Sequence, residues 1–439
     1  MAKSAREIAR LALHAFRKSG TWADAYLKDV LGKERLSRRD AALASQLTYG
    51  VLQNDKLLDF YIASFSSMPL AKIEPQILDI LRIGVYQIVF LDRIPPHAAV
   101  NESVALARRT SARAAGFVNA LLRRILAVGD ALPEPSGTPA HVLSTRFSHP
   151  EWLVSRLLSI YGDETERILE ENNKNPAICA RVNPLVADTP AVIAALEKDG
   201  VTASMHPWLP LCVTLTETGD ITQLSAYREG MFHICDPASQ LAALALGVQP
   251  GMRVLDTCAA PGGKSFILAE EMQNTGALLS CDIHAHKLRR MCGEALRLHI
   301  TNLTTEQYDA RLLRAQEIGQ YDAVLCDVPC SGLGVIRKKP EIRFKKEAEI
   351  ARLPEIQCDI LRTAAQYVAP GGVLVYSTCT ILPCENEEVI QGFLKEYPAF
   401  SREAITLPCP NGENAGEITL LPHRNETDGF YICKLRRTL

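Results

Sequence analysis

One short stretch, Asp256-Thr-Cys-Ala-Ala-Pro-Gly-Gly-Lys-Ser265, has the composition of a ligand-binding loop. Apolar runs precede it at residues 252–255 and follow it at residues 266–269, which predicts a strand, a glycine loop and a helix. Glycines in such a loop let backbone N–H groups approach a nucleotide-like ligand. The dinucleotide pattern G-x-G-x-x-G is absent, and the phosphate-loop pattern fails because Cys258 stands at its first glycine. S-adenosylmethionine, which carries no polyphosphate, is therefore the candidate ligand.

Acids at two further strand ends extend this candidate site. Asp282 ends the next predicted strand, 26 residues after Asp256, where a carboxylate can accept both ribose hydroxyls of an adenosine. Asp309 follows the third predicted strand and could accept from the adenine amino group. Each acid could instead cap the helix that follows it, and for Asp309 that alternative is nearly as good. The predicted cofactor-binding residues are Cys258, Ala259, Ala260, Pro261, Gly262, Gly263, Lys264, Asp282, Asp309 and Asp327.

Two cysteines stand at the ends of two more predicted strands. Cys330 lies in Asp327-Val-Pro-Cys-Ser-Gly332, and Cys379 lies in Tyr376-Ser-Thr-Cys-Thr380. Because the carboxyl ends of parallel strands meet at one edge of a sheet, we expect both thiols beside the ligand. Most of the 13 cysteines are expected to be buried and inert, and this location makes Cys330 and Cys379 the exceptions.

A zinc site is the competing interpretation of these cysteines. The spacings Cys326-x₃-Cys330 and Cys379-x₄-Cys384 are paired. However, C-x₂-C is absent and Cys326 lies inside a predicted strand, so we expect no metal.

The elements that position these residues follow from periodicity and composition. Residues 1–130 show helical spacing throughout, as at Ile8, Leu11, Ala12, Ala15 and Phe16, and predict an all-α domain of about six helices. The other predicted segments are a linker at residues 131–140, a small α+β segment at residues 141–235 and an α/β domain at residues 236–439. In the last of these, strands and helices alternate, which predicts a parallel doubly wound sheet of the Rossmann-like type with function at the strand C-termini.

Charge is unevenly spread along this chain of 439 residues. Residues 1–130 carry 19 Lys and Arg against 12 Asp and Glu, although the whole chain has a net charge of −2. A basic N-terminal domain suggests a polyanionic partner, although a solvated helical surface would give the same charge. Cysteine usage without a disulfide framework, the lack of a signal-peptide core and the lack of an apolar run near ~18 residues predict a cytoplasmic protein outside the membrane. We also expect a monomer.

The N-terminal domain resembles a known family. The segments Pro95-Pro-His-Ala-Ala-Val-Asn-Glu-Ser-Val104 and Gly116-Phe-Val-Asn-Ala-Leu-Leu-Arg-Arg124 are similar to the NusB antitermination-factor domain, an RNA-binding helical fold. The resemblance implies that surface cations contact RNA phosphates, although helix solubility explains them about as well. The candidates are Arg108, Arg109, Arg123 and Arg124.

The remainder of the chain resembles the RNA cytosine-5 methyltransferases of the Nol1/Nop2/Sun family. The resemblance rests on the glycine loop, on the two cysteine motifs and on Asn386-Glu387, and it spans roughly residues 145–439. Together with the NusB-like N-terminus, it makes the whole chain similar to bacterial family members that methylate 16S ribosomal RNA. It implies S-adenosylmethionine as the methyl donor, 16S ribosomal RNA or a small-subunit precursor as the partner, and an RRM-like fold for the middle segment. The chain departs from the family pattern at Cys235, where Gln is usual.

The family chemistry needs two thiols. A thiolate that adds to carbon 6 of cytosine makes carbon 5 nucleophilic enough to take a methyl group, and a base must then remove the proton on carbon 5. The resemblance implies that Cys379 attacks and that Cys330 assists release. The residues alone leave this order open, because DNA cytosine methyltransferases attack with the Pro-Cys cysteine. Asp327 is predicted to bind the cytosine ring, and Lys264 to lower a thiolate pKa or to bind substrate.

Two alternatives to this function stay open, and one further surface is predicted. The chain could methylate transfer RNA or another RNA, or it could be a non-catalytic RNA-binding or antitermination-type protein. A basic run after Cys330 is predicted to bind RNA phosphate, with a solvated loop as the alternative. Its residues are Arg337, Lys338, Lys339, Arg343, Lys345 and Lys346.

Overall fold

The structure, a computed structural model, describes residues 3–33, 36–410 and 413–438. The chain forms two compact units. The first, called the helical unit, comprises Met1–Lys174 and Lys339–Lys345. The second, called the α/β unit, comprises Asn175–Lys338 and Lys346–Leu439.

The helical unit contains ten α-helices within the described residues. Buried side chains such as Leu47, Leu81 and Val118 form its core. Seven of these helices lie within residues 1–130, where the sequence predicts about six. The helices are α1 Ala5–Ser19, α2 Ala23–Lys33, α3 Arg38–Gln53, α4 Asp55–Phe65, α5 Pro75–Phe90, α6 Pro96–Thr110, α7 Ala114–Val128, α8 Pro139–Arg146, α9 Glu151–Tyr161 and α10 Glu164–Glu171.

Local signals set the ends of these helices. The Ser4 side chain accepts from the Glu7 N–H at the start of α1, and Gly20 ends that helix at φ +67°. The Ser37 hydroxyl accepts from the Asp40 N–H at 3.1 Å and so caps α3. The predicted linker at residues 131–140 overlaps the start of α8, and α8–α10 belong to the helical unit by their contacts.

The cations predicted to contact RNA from this unit are exposed. Arg123 donates to the Asn119 side chain at 3.0 Å, and Arg109 lies 3.8 Å from Glu7. Such exposed pairs contribute little to stability. Contact of Arg108, Arg109, Arg123 and Arg124 with RNA stays a prediction.

The residues between Lys339 and Lys345 belong to the helical unit, which corrects part of the predicted basic surface. A 3-10 turn at Pro340–Phe344 places Arg343 in the interior, with only 3% of its surface exposed. Its guanidinium donates to the backbone oxygens of Gln53 and Ser148 and to the side chain of Asn173. Burial lowers the pKa of Arg343 to about 9. The prediction that Arg343 binds RNA phosphate is wrong, because its guanidinium is enclosed.

The α/β unit begins with a four-stranded antiparallel sheet in the order β2-β3-β1-β4. The edge strand β2 was not predicted, because it is only four residues long and most of it is exposed. The elements of this part are β1 Ile178–Val182, α11 Thr189–Lys198, β2 Thr202–Met205, β3 Cys212–Thr216, α12 Ser225–Arg228 and β4 Phe232–Ile234.

The rest of this unit contains an eight-stranded mixed sheet and a separate two-stranded sheet, in which residues 405–406 pair with residues 413–414. The strands of the larger sheet run in the order β10-β14-β9-β8-β5-β6-β7, with β13 paired to β14. The elements are α13 Pro237–Ala245, β5 Arg253–Asp256, α14 Gly263–Glu271, β6 Ala277–Asp282, α15 Ala285–Arg297, β7 Leu303–Gln307, β8 Tyr321–Asp327, α16 Glu347–Ile350, α17 Leu353–Tyr367, β9 Val368–Thr378, α18 Glu387–Glu396, β10 Phe400–Arg402, β11 Ile405–Thr406, β12 Glu413–Asn414, β13 Glu417–Leu420, α19 Pro422–Asn425 and β14 Phe430–Arg437.

The order of the parallel strands decides where a ligand can bind. Strands β5 to β9 pair in parallel, and β5 lies between β8 and β6, so the chain reverses its direction across the sheet there. A crevice opens at such a reversal, outside the carboxyl ends of the strands. Strand β14 pairs antiparallel with β9 and closes the other side. The predicted Rossmann-like sheet is confirmed, with antiparallel strands added at one edge.

No helix among the described residues is long and apolar enough to span a bilayer.

Candidate active site

Asp256, the acid of the glycine loop, has a structural position. Only 1% of its surface is exposed, and its Oδ2 accepts from the Ser265 hydroxyl at 2.6 Å. Its Oδ1 accepts from the Cys258 N–H at 3.4 Å. Asp256 therefore ties the end of β5 to both sides of the loop. Burial raises its pKa to about 7, with a further contribution from Asp327, while the Ser265 bond opposes the rise.

Packing requires the glycine at position 262. Gly262 has φ +112°, and a Cβ there would lie 2.4 Å from the ring of Phe266 and 2.8 Å from the Met291 side chain. The Ala259 N–H donates to the Cys281 carbonyl, and the Gly262 N–H to the Ala259 carbonyl, each at 2.8 Å. These two amides hold the loop together instead of facing a ligand.

A cavity of ≈ 460 Å³ opens at the carboxyl ends of the parallel strands. Of the loop residues predicted to bind cofactor, Cys258 and Ala260 line it, whereas Ala259, Pro261, Gly262, Gly263 and Lys264 are not among its lining residues. Predicted residues from other strand ends that line it are Asp282, Asp309, Asp327, Cys330 and Cys379.

The two acids predicted to bind adenosine, Asp282 and Asp309, make local hydrogen bonds, but neither caps the helix that follows it, so that alternative is wrong. Asp282 accepts from the His284 N–H at 2.8 Å and from the Ala260 N–H at 3.3 Å, through different oxygens. Asp309 accepts from the Arg311 N–H and guanidinium. The hydrogen bond from Arg311 holds the pKa of Asp309 below its usual value. A carboxylate has about four lone-pair sites, so these contacts leave Asp282 able to accept from a ligand, whereas Asp309 already makes four contacts with Arg311.

Lys264, in the first turn of α14, forms an ion pair with Asp327 at the end of β8. Lys264 Nζ lies 2.8 Å from Asp327 Oδ2, and Ser377 donates to Asp327 Oδ1 at 2.7 Å. Burial alone would lower the pKa of Lys264, but Asp327 outweighs it and raises the pKa to about 12. Lys264 is thus a permanent cation at neutral pH, and Cys379 is among the groups that its charge acts on.

The two predicted thiols are side by side. The Sγ atoms of Cys330 and Cys379 are 3.0 Å apart, and the Cys379 N–H donates to the Cys330 sulfur at 3.2 Å. Both residues are thiols and half-buried. The hydrogen bond with Cys379, together with burial, raises the pKa of Cys330 well above its usual value, and Glu385 adds to the rise. Cys330 is therefore protonated at neutral pH.

The chain matches three family models that together cover most of its length. Residues 3–127 match the NusB family, residues 149–222 the ferredoxin-like domain of RsmF/B-like methyltransferases, and residues 243–436 the 16S rRNA methyltransferase RsmB/F family. The chain is 38% identical to "Probable ribosomal RNA small subunit methyltransferase B" of Bacillus subtilis, over 99% of both chains. The chain belongs to the RsmB/F family of 16S rRNA methyltransferases.

Other members of this family and a solved structure agree. Ribosomal RNA small subunit methyltransferase B of Salmonella typhi is 34% identical over 92% of both chains. The crystal structure of PH0851 superimposes with a TM-score of 0.82 at 28% identity, covering 99% of this chain and 98% of the other. These matches confirm the family resemblance and the predicted fold class, including the small middle domain.

The cavity also contains residues that the sequence analysis did not identify. Ile283 directly follows Asp282 and is 54% exposed, so it offers an apolar surface beside the acid. Its position at a strand end, next to a predicted ligand, was the signal that could have identified it. The other missed lining residues are Thr257, His284, Lys287, Tyr308, Ala310, Arg311, Val328, Pro329, Ile356 and Ile360.

Two further residues of the predicted basic surface are in an internal ion cluster. Arg337 pairs with Asp428 at 2.9 Å, and Lys338 bridges Asp428 and Asp236. Only 8% of Arg337 is exposed. The prediction that Arg337 binds RNA phosphate is wrong, because its charge is engaged by two buried carboxylates. Lys338 pairs with the same carboxylates but keeps 28% of its side chain exposed, so its contact with RNA stays a prediction. Lys339 and Lys346 are exposed and Lys345 is half-buried, and their contact with RNA stays a prediction.

Within residues 3–33, 36–410 and 413–438, no group of three or more His, Cys, Asp and Glu side chains is arranged so that it could hold a metal ion.

Proposed function

We propose that the chain transfers a methyl group from S-adenosylmethionine to carbon 5 of a cytosine in 16S ribosomal RNA, through a covalent bond between Cys379 and carbon 6. The observation that carries this proposal is the pair of thiols, 3.0 Å apart, at the wall of a cavity that also presents strand-end carboxylates. One thiol suffices for attack, and a second at contact distance suits the proton transfer that release requires.

The cavity suits the proposed cofactor. Its volume of ≈ 460 Å³ lies within the range of small-molecule sites. Asp282 and Asp309 are acceptors for ribose hydroxyls and for an adenine amino group, and Ile283 is an apolar surface against which a base can pack. When bound, the cofactor would supply an electrophilic methyl group on a sulfonium.

Electrostatics favours Cys379 as the attacking thiol. The neighbouring cation Lys264 stabilises a thiolate at Cys379, whereas the raised pKa of Cys330 keeps that residue protonated. Cys330 can then donate an S–H hydrogen bond to the Cys379 thiolate across 3.0 Å. This argument supports the order that the family resemblance implies and that the residues alone left open.

The same pair suits release. Attack consumes the charge of Cys379 in a carbon–sulfur bond, which removes the largest cause of the raised Cys330 pKa. Cys330 can then lose its proton to solvent and take the proton from carbon 5, and the carbon–sulfur bond breaks as the ring regains its double bond. Asp327, held by Lys264 and Ser377, lies at the same wall and can bind the cytosine amino group.

Adduct trapping tests both the reaction and the order of the thiols. Purified Cys330→Ala and Cys379→Ala variants are incubated with S-adenosylmethionine and a 16S RNA transcript, and covalent RNA–protein complexes are resolved by denaturing electrophoresis. We expect Cys330→Ala to accumulate the adduct and Cys379→Ala to form none. Accumulation in Cys379→Ala alone would reverse the assigned order.

The substrate is tested in parallel with RNA carrying tritium at carbon 5 of cytosine. Release of tritium from 16S RNA by the parent protein supports the proposal. Release only from transfer RNA would favour that substrate class instead. Cofactor binding without tritium release from any RNA would favour a non-catalytic RNA-binding protein.

A further inference from the structure

The turn that carries Cys330 is held on both sides by buried side chains. Glu385 Oε2 accepts from the Ser331 N–H at 2.9 Å, on the residue after Cys330. Gln357 Nε2 donates to the same oxygen at 2.9 Å and to the Pro329 carbonyl at 3.0 Å, on the residue before Cys330. Glu385 and Gln357 together therefore restrain the backbone immediately before and after one thiol.

The turn that carries Cys379 is held in a similar way by Asn386, the residue after Glu385. The Thr378 hydroxyl donates to Asn386 Oδ1 at 2.5 Å, on the residue before Cys379. Asn386 Nδ2 donates to the Thr380 carbonyl at 3.0 Å, on the residue after Cys379. The amide group of Asn386 thus spans the second thiol.

Glu385 and Asn386 are consecutive and are each 1% exposed, so the side chains that restrain the two turns belong to one buried segment. The Tyr376 hydroxyl holds this segment against strand β9 by donating to the Glu385 carbonyl at 2.6 Å. The Ser331 hydroxyl also donates to Thr380 Oγ1 at 2.8 Å, directly between the two turns. Breaking any of these buried hydrogen bonds would leave a further donor or acceptor without a partner, which is costly in the interior, so they restrain the two turns.

We infer that Glu385 and Asn386 are a pair of positioning residues, Glu385 for Cys330 and Asn386 for Cys379, which together set the separation of the two sulfurs. Neither residue lines the cavity, so each acts through the thiol that it holds. Glu385 also contributes its charge, because it adds to the raised pKa of Cys330. Each half of the device serves a different thiol, and so a different step of the proposed reaction.

A trivalent arsenical reports on the separation without any reference to the reaction. Phenylarsine oxide condenses with two thiols, forming two arsenic–sulfur bonds and releasing water, only when both sulfurs can lie side by side. We expect the parent protein to bind it at this pair and Cys330→Ala to lose that binding. Glu385→Ala and Asn386→Ala are expected to weaken it by at least about 10-fold, since displacements near 1 Å can change rates by about 100-fold. Parent-like binding by both alanine variants would overturn the inference.

Adduct accumulation then separates the two halves, and this arm rests on the proposed function. Asn386→Ala displaces the attacking thiol and is expected to slow adduct formation. Glu385→Ala displaces the releasing thiol and is expected to accumulate adduct, as Cys330→Ala does. A merely structural role would change both steps alike in both variants, and equal slowing of both steps would refute the division of roles. Weaker arsenical binding with no adduct in any variant would refute the covalent reaction and leave the positioning role intact.

Conservative variants and a matched control guard against misfolding. Glu385→Gln keeps an oxygen for the Ser331 N–H, and Asn386→Asp keeps one for the Thr378 hydroxyl. Both are expected to bind the arsenical more tightly than the corresponding alanine variants. Glu388→Gln makes the same charge change as Glu385→Gln on an exposed side chain in the first turn of α18 and is expected to match the parent in both assays. If the alanine variants fail to fold, tighter binding by Glu388→Gln than by the two conservative variants still supports the inference, and equal binding by all three overturns it.

Discussion

The ion pair between Lys264 and Asp327 allows a worked prediction for Lys264→Met. The rise of the Lys264 pKa from 10.5 to about 12 corresponds to about 2 kcal/mol in favour of the charged ammonium in the folded protein. The side chain is 13% exposed, so solvent screening reduces this figure little. Because the folded-state pKa is the higher one, the contribution is fully present below pH 10.5 and is lost as the pH rises through about 12. The free energy of unfolding of the variant, measured by urea denaturation at pH 7 to 9, should therefore be about 2 kcal/mol lower than that of the parent.

The same substitution should change the reactivity of Cys379. Without the ammonium, a thiolate at Cys379 loses a stabilising charge, and a single nearby charge commonly moves such an ionisation by about 1 unit or more. We expect alkylation of Cys379 by iodoacetamide to begin about 1 pH unit higher in Lys264→Met, in a Cys330→Ala background. Mass spectrometry of the peptide that contains Cys379 follows the reaction.

A matched cation separates this effect from a general change of charge. Lys395→Met removes an exposed lysine from α18 and should leave both the unfolding free energy and the alkylation profile as in the parent. The reasoning is refuted if the Lys264→Met profile superimposes on that of Lys395→Met, since Lys264 would then not act on the thiol.

Two further predictions concern the glycine loop. Gly262→Ala should destabilise the protein by about 1–3 kcal/mol in urea denaturation, because the new Cβ would meet Phe266 and the backbone is left-handed there. Gly293→Ala, in the middle of α15 with open space around it, should instead be neutral or stabilise by up to about 1 kcal/mol, and equal effects of the two changes would contradict the packing argument. The buried Asp256 has its pKa raised from 3.8 to about 7, so its protonated form is the one that folding favours, and this contribution is lost as the pH rises from about 4 through 7. Asp256→Asn should remove that part of the pH dependence of the unfolding free energy, and an unchanged slope between pH 5 and 7 would count against the assignment.

The strand ends were predictable because their positions follow from a rule of topology. An apolar run that ends in Asp256, Asp282 or Asp327 reads as a strand, and parallel strands present their carboxyl ends at one edge. The same rule brought Cys330 and Cys379 to one cavity, although 49 residues separate them. The rule does not predict the distance of 3.0 Å between their sulfurs, which depends on the tertiary packing of the two turns.

The basic run after Cys330 shows why charge alone misled. The sequence predicted that Arg337 and Lys338 form a solvated or RNA-binding surface, but both pair with Asp236 and Asp428, which are remote in sequence, and Arg337 is buried. Arg343 is enclosed in the helical unit, where it donates to backbone carbonyls. Every residue has such a carbonyl, so the sequence does not indicate which ones will accept from Arg343. A local pattern records charge but not the partner that neutralises it.

The amino-acid sequence by itself determined the helical and α/β domains and the strand ends at which the acids and the two cysteines stand, because periodicity, loop composition and residue type are local properties. Only the tertiary structure shows that the pKa of Cys330 is raised and that the charge of Lys264 acts on Cys379, because both depend on burial and on charges brought together from separate strands. It also decided the positions of Glu385 and Asn386 around the two cysteine turns. Their partners are up to 54 residues away, and hydrogen bonds at that separation arise only when the chain has folded.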